Sequence, residues 1–334
     1  MGRFLRLQPS RPDRAVHGYI YYRWTSAYMA VVRYFLERGA FFEPLRSATG
    51  RHLERTHHAK VVSADDARRL IAIDRPIDYR HLESVVPFPV ARDIVLESPA
   101  AITLARCACR NVAEGRGTRE SSCGPLETCL YIGDPIASFV AEKQPGARRI
   151  TADEALEVIE SASERGNIHT LWFKDAAAGR MYAMCNCCSC CCIGLKSVRA
   201  GFSPLAGSGY LARVDAGRCV GCGTCVGSCA FGAISLSADG VATVDPGLCL
   251  GCGTCTGACP SSALYAGCRE GRTPRPVERA DTVSSSGAAV EQASRGGERA
   301  ERSASCESAH VGVLVLGRLH CGLGSQPIRS RYTE

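Results

Sequence analysis

Two kinds of period run along this chain. From Tyr19 to Arg38 the apolar residues Ile20, Trp24, Met29, Val32 and Phe35 recur at helical spacing, which predicts one helix ended by Gly39. Ser63-Ala-Asp-Asp-Ala-Arg-Arg-Leu-Ile reads as a capped helix, and Val90 to Glu97 as a short one after Pro87 and Pro89. Thr151-Ala-Asp-Glu is a capping box, opening a helix that runs to Arg165 and stops at Gly166. Ile168 to Phe173 is β-prone, and alternation on both sides of Asp239-Gly240 predicts a β-hairpin. The class is α+β. Residues 1–18, rich in Arg and Pro, are expected to be loose. Beyond Cys268 the chain is mostly Ser, Gly, Ala, Arg and Glu, and only Val311 to Leu316 could pack, so 269–334 is expected to be a disordered tail.

Composition turns this outline toward metal chemistry. Twenty-one of 334 residues are cysteine. No apolar signal core follows Met-Gly-Arg-Phe-Leu-Arg, and no run of eighteen apolar residues occurs. The expectation is a protein without a transmembrane helix, in a reducing cytoplasm that keeps thiols free for metal. The formal charge of +7 comes with no dense Lys/Arg run, so nucleic acid is not an expected partner. Neither G-x-G-x-x-G nor a phosphate-binding G-x-x-x-x-G-K-[ST] appears.

The cysteines fall into two constellations. Downstream, Cys219, Cys222, Cys225 and Cys229 are followed thirty residues later by Cys249, Cys252, Cys255 and Cys259, both spaced C-x-x-C-x-x-C-x-x-x-C. Sulfur-only sites select iron–sulfur clusters, zinc or copper(I). A zinc ribbon uses pairs of C-x-x-C, whereas each run here carries a third and a fourth thiol at fixed offsets. Gly221, Gly223, Gly251 and Gly253 allow positive φ and let backbone N–H groups approach the sulfurs.

Residues 210–239 and 240–268 repeat this frame and resemble the two repeats of a bacterial two-cluster 4Fe–4S ferredoxin. The resemblance implies crossed ligation. Cys219, Cys222, Cys225 and Cys259 would hold one cubane; Cys249, Cys252, Cys255 and Cys229 would hold the other. Ala230 stands where that family usually has proline, which bears on loop rigidity more than on ligation.

Ten further cysteines lie upstream: Cys107, Cys109, Cys123 and Cys129, then Cys185, Cys187, Cys188, Cys190, Cys191 and Cys192. Six thiols in eight residues exceed any packing need, and so many unpaired thiols would be an oxidation liability. They are therefore expected to converge on a third metal site, either another 4Fe–4S cluster or zinc, inside a mainly helical domain at 19–200. The pieces Cys-Ala-Cys-Arg, Cys-Gly-Pro-Leu-Glu-Thr-Cys-Leu, Trp172-Phe-Lys-Asp and Cys-Asn-Cys-Cys-Ser-Cys-Cys-Cys resemble a group of ferredoxin-fused iron–sulfur proteins of bacteria. That likeness implies electron transfer with redox-protein partners and supplies no substrate.

The functional expectation is an electron carrier or electron-transfer subunit. Two other classes stay open: an enzyme with a catalytic amino-terminal cluster, and a redox or metal sensor with structural zinc. His52, His57 and His58 sit among Arg and Glu and read as a solvated helix face, whereas His169 and Lys174 lie close enough in sequence to the cysteines to tune them or move protons.

Overall fold

The computed structural model describes residues 1–38, 43–73, 77–78, 95–96, 100–115 and 123–269. Four helices open the chain: α1 (Gly2–Leu7), α2 (Pro12–Arg23), α3 (Thr25–Arg38) and α4 (Glu43–Thr56). The upstream domain then alternates β1 (His57–Val62), α5 (Ala64–Ile71), β2 (Ile77–Asp78), β3 (Val95–Leu96), β4 (Ile102–Arg106) and α6 (Ala108–Glu114). It continues through β5 (Glu127–Ile132), α7 (Ile136–Lys143), β6 (Arg148–Ile150), α8 (Ala152–Glu164), β7 (Ile168–Lys174), β8 (Met181–Cys187), α9 (Ile193–Arg199) and β9 (Leu205–Ala206). Its centre is a seven-stranded sheet in the order β6-β4-β5-β8-β7-β1-β9, antiparallel except where β9 runs parallel to β1.

The α+β class holds, and the upstream domain is richer in helix than in strand, its helices packed around a seven-stranded sheet most of whose strands were not foreseen. Its central strands are short and buried on both faces, so β4 and β5 read as apolar runs that periodicity cannot separate from a helix. The alternation becomes visible once the two faces are known. Ile102, Leu104, Leu130, Ile132, Leu171 and Phe173 pack against α5 and α8. Ala105, Cys129, Tyr131, Tyr182 and Ala183 face α1, α2 and α7. Each fully buried Leu, Ile, Phe or Met side chain here contributes roughly 1.5–3 kcal/mol.

Three local expectations are corrected. The first eighteen residues are not loose: they form α1 and the start of α2, and Phe4 is buried between Tyr22 and Phe139. The helix foreseen from Tyr19 onward is two helices broken at Trp24, where Thr25 turns its hydroxyl back to the carbonyl of Tyr21. Within the span expected to form a helix from Val90, residues Val95–Leu96 pair as a strand with Ile77–Asp78; the rest of that span lies outside the described residues. Gly39 and the tail from 270 also lie outside them.

The punctuation signals are where the sequence put them. Thr151 and Glu154 make the reciprocal capping box of α8, and Gly166 follows it with φ +69°. Ser63 caps α5 through the Asp66 N–H.

The downstream module contains β10 (Tyr210–Val214), α10 (Thr224–Ser228), β11 (Ile234–Leu236), β12 (Ala242–Val244), α11 (Thr254–Ala258) and β13 (Leu264–Cys268). β11 and β12 form the hairpin around Asp239-Gly240, and β10 pairs with β13. Among the described residues no helix is long and apolar enough to cross a membrane.

Candidate iron–sulfur and metal centres

The two cysteine loops of the module are built alike. In each, two glycines adopt positive φ: Gly221 and Gly223 at 68° and 72°, Gly251 and Gly253 at 67° and 80°. The second glycine of each pair caps a one-turn helix that carries the third cysteine. A Cβ at Gly221 would lie 2.8 Å from the Gly240 carbonyl oxygen, and one at Gly251 only 2.3 Å from that of Tyr210. Glycine is thus required there by both conformation and space.

Two hollows result. One, of about 270 Å³, is lined by Cys219, Cys222, Cys225 and Cys259. The other, of about 450 Å³, is lined by Cys229, Cys249, Cys252 and Cys255. The fourth cysteine of each run thus sits with the first three of the other. Backbone donors reach the sulfurs: Ala242 N–H to Cys219, Ala233 N–H to Cys229 and Ala263 N–H to Cys259, at 3.3–3.4 Å. Four soft donors around an apolar hollow, with N–H groups to offset thiolate charge, fit a cubane at each place.

The sulfurs are not equally covered. Cys222 is exposed, and with Val220 it forms an open rim. Cys249 and Cys255 are buried, and desolvation pushes the Cys255 thiol up to about 12. A bound metal would reverse that shift by taking the thiolate directly.

Upstream, the sheet brings its thiols together from four places. Cys129 on β5 faces Cys185 on β8 in register, with sulfurs 3.8 Å apart. Cys187 follows two residues later on the same face. Cys107 caps α6 and Cys109 lies in its first turn, while Cys192 caps α9. Each of these six thiols perturbs the titration of two others, which closes a ring: 107 to 109, 109 to 192, 192 to 187, 187 to 185, 185 to 129, and 129 back to 107. Cys107 and Cys192 are held well below the usual thiol range, chiefly because each accepts S–H bonds from its neighbours on either side. The donors Cys109, Cys129, Cys185 and Cys187 are pushed up.

The other four, Cys123, Cys188, Cys190 and Cys191, form a tight knot beside the ring. Its hydrogen bonds run among its own sulfurs and to Arg110.

The ring lines a cavity of about 790 Å³ whose wall also includes Cys188 and Cys191 of the knot, with Tyr21, His57, Tyr131, Trp172 and Tyr182. His57 is buried here, not on a solvated face; it begins β1, while His52 stays on α4. Its ring lies 2.7 Å from the Lys174 amino nitrogen, which sits 4.6 Å from the centre of Tyr21. The Tyr21 and Tyr182 hydroxyls are 2.9 Å apart. Proximity in sequence pointed to Lys174 but not to this partner, which arrives by β1–β7 pairing across more than a hundred residues. His169 instead faces away, bonded to Asn186 and Ser163.

Compared with known protein families, residues 212–265 match a 4Fe-4S dicluster domain. That span holds all eight cysteines of the tandem motif. It is a ferredoxin-type iron–sulfur domain, and the chain that carries it is an iron–sulfur, metal-binding protein. No curated protein and no solved structure matches the chain.

Proposed function

We propose that this is a cytoplasmic electron-transfer protein of the two-cluster ferredoxin type, extended by a further metal centre in the upstream domain. Cys219, Cys222, Cys225 and Cys259 would ligate one cubane and Cys249, Cys252, Cys255 and Cys229 the other. The six-sulfur ring would ligate the third centre. The cubanes supply one-electron chemistry; the chain fixes their spacing, excludes water and sets their potentials.

One apolar cluster carries this reading. Phe231, from the loop after Cys229, is buried with Cys187, Cys192, Leu195 and Leu205, and Cys229, Leu250 and Cys252 pack against them. Thiols of the second hollow and of the ring therefore share a single apolar contact. The first hollow, by contrast, opens on the exposed rim at Val220 and Cys222, where a redox-protein partner can approach.

Iron and acid-labile sulfide counts on anaerobically purified protein test this, together with spin quantitation after reduction. More than eight irons per chain are expected, falling toward eight when Cys129 and Cys185 are both replaced by Ser. A count of eight or fewer in the unsubstituted protein would remove the third centre, and protein that cannot be reduced would remove electron transfer.

A second reading, an oxidoreductase whose upstream centre is catalytic, draws on one observation: the buried Lys174–His57 pair and Tyr21 place proton-bearing groups at the cavity wall. A small exogenous ligand that perturbs only the upstream centre's spectrum would favour it over a closed carrier.

A further inference from the structure

We infer that the ten upstream thiols divide into two sites of different nuclearity, with Cys123, Cys188, Cys190 and Cys191 holding one tetrahedral zinc ion apart from the six-sulfur ring.

Spacing comes first. The four sulfurs all lie within 4.8 Å of one another, with Cys123 3.4 Å from Cys188 and 3.6 Å from Cys191, and Cys188 2.7 Å from Cys191. Four thiolates on one zinc, at a bond of about 2.3 Å, stand about 3.8 Å apart in a tetrahedron. A cubane binds each thiolate through a different iron and spreads them over a wider shell. The compactness of the knot, all four sulfurs mutually within 4.8 Å, favours a single ion over a cubane.

Charge comes second. Arg110 is completely buried, and its Nε donates to the Cys123 sulfur at 3.2 Å. One of its terminal nitrogens, Nη1, donates to the Pro125 carbonyl and to the Thr128 hydroxyl, while Nη2 has no hydrogen-bond partner. A buried guanidinium needs an anion beside it. A divalent ion in four thiolates carries a net double negative charge, which the arginine would partly neutralise.

Connectivity comes third. Cys188, Cys190 and Cys191 lie on the turn between β8 and α9, and Cys123 lies between α6 and β5. An ion there ties the turn flanked by Cys187 and Cys192 to the segment that joins Cys109 and Cys129. It would be structural, with all four positions closed by protein, as closed zinc sites are.

The experiment uses full-length protein and has two arms. Zinc and iron are counted on the anaerobic protein, and zinc-edge X-ray absorption reads its donors. One zinc per chain, bound by four sulfurs at about 2.3 Å, is expected. Cys190→Ser, which removes a ligand outside the ring, should release zinc to a chromophoric chelator roughly tenfold faster or more, and Arg110→Met should do so to a smaller degree. Iron content should hold in Arg110→Met. Absence of zinc, iron at the four-thiol site, mixed nitrogen or oxygen donors, or a Cys188–Cys191 disulfide in the native protein would each overturn the assignment. The absorption measurement needs no variant, so misfolding of Cys190→Ser cannot rescue it. The zinc result is also independent of the iron count that tests the electron-transfer reading.

Discussion

The amino nitrogen of Lys174 lies 2.7 Å from Nε2 of His57, and both side chains are buried at the junction of β7 and β1. Burial pushes the lysine down to about 7 and the histidine well below its ordinary value. An unfolded lysine titrates near 10.4. Between about pH 7 and pH 10 the unfolded chain therefore binds more protons than the folded one, and stability rises with pH at up to ~1.4 kcal/mol per unit. Below the folded value both states are protonated and the cost of the buried charge is constant. Lys174→Met should flatten this slope in anaerobic urea titrations at pH 7, 8 and 9. Identical slopes in the two proteins would mean that Lys174 is not the titrating group.

Two glycine positions of the module, one in the hairpin turn and one in a cysteine loop, give a second expectation. Gly240 and Gly251 share a positive φ, 77° and 67°. Nothing lies within 4 Å of a Cβ at Gly240, whereas one at Gly251 meets the Tyr210 carbonyl oxygen at 2.3 Å and the Ser208 hydroxyl at 2.4 Å. Gly240→Ala should cost only the left-handed strain, roughly 1–2 kcal/mol, and keep both clusters. Gly251→Ala must also move backbone, and is expected to lose the second cluster, halving the module's contribution to the visible absorption. Equal absorption in the two variants would refute the close-approach argument.

The contrast between these loops and the rest of the chain shows what could be read in advance. The tandem motif carries its geometry in sequence because one short loop supplies three ligands and the glycines that let it close. The capping box at Thr151 was legible for the same reason: every participant lies within four residues. The ring of six sulfurs was not. Its members come from β5, β8, α6 and the cap of α9, and only strand register decides that Cys129 meets Cys185. The separation of Cys188, Cys190 and Cys191 from Cys187 and Cys192 was equally hidden, because they adjoin in sequence and part only where β8 ends and the chain turns. His57 was misplaced because its sequence neighbours are polar, while burial comes from Tyr21, Tyr28 and Lys174 packing around it.

The unequal cover of the two hollows predicts an order of decay. Cys222 is exposed and Cys259 is held down to about 7, first by its hydrogen bond with Ser261. Cys249 and Cys255 are buried beneath Leu211, Ile234 and Leu264. Oxidant and chelator reach accessible thiolate sulfur first. On controlled air exposure, the cluster at Cys219–Cys225 should be lost first, with the second surviving several-fold longer by spin quantitation. Cys222→Ala should leave mainly the second cluster's signal. Simultaneous loss of both would mean that the module opens as one cooperative unit, which its small core permits.

A contact made by Arg269 sets where the chain can be cut. Arg269 sends one guanidinium nitrogen to the Pro246 carbonyl at 2.8 Å and the other to the Cys249 carbonyl, while its backbone N–H bonds to Gly209. It thereby pins the start of the second cysteine loop to the end of β13. The sequence beyond it is mostly Ser, Gly, Ala, Arg and Glu and offers few apolar groups to pack on the module. A chain ending at Arg269 should therefore keep its iron and its visible spectrum. A chain ending at Cys268 loses charge-assisted hydrogen bonds worth about 1–3 kcal/mol, less some solvent screening, and should release iron from the second cluster faster. Arg269→Ala in the full chain should reproduce that loss, separating the side chain from the length. If the two shortened chains hold iron equally well, the clamp is dispensable; if both lose it, residues beyond 269 dock on the module.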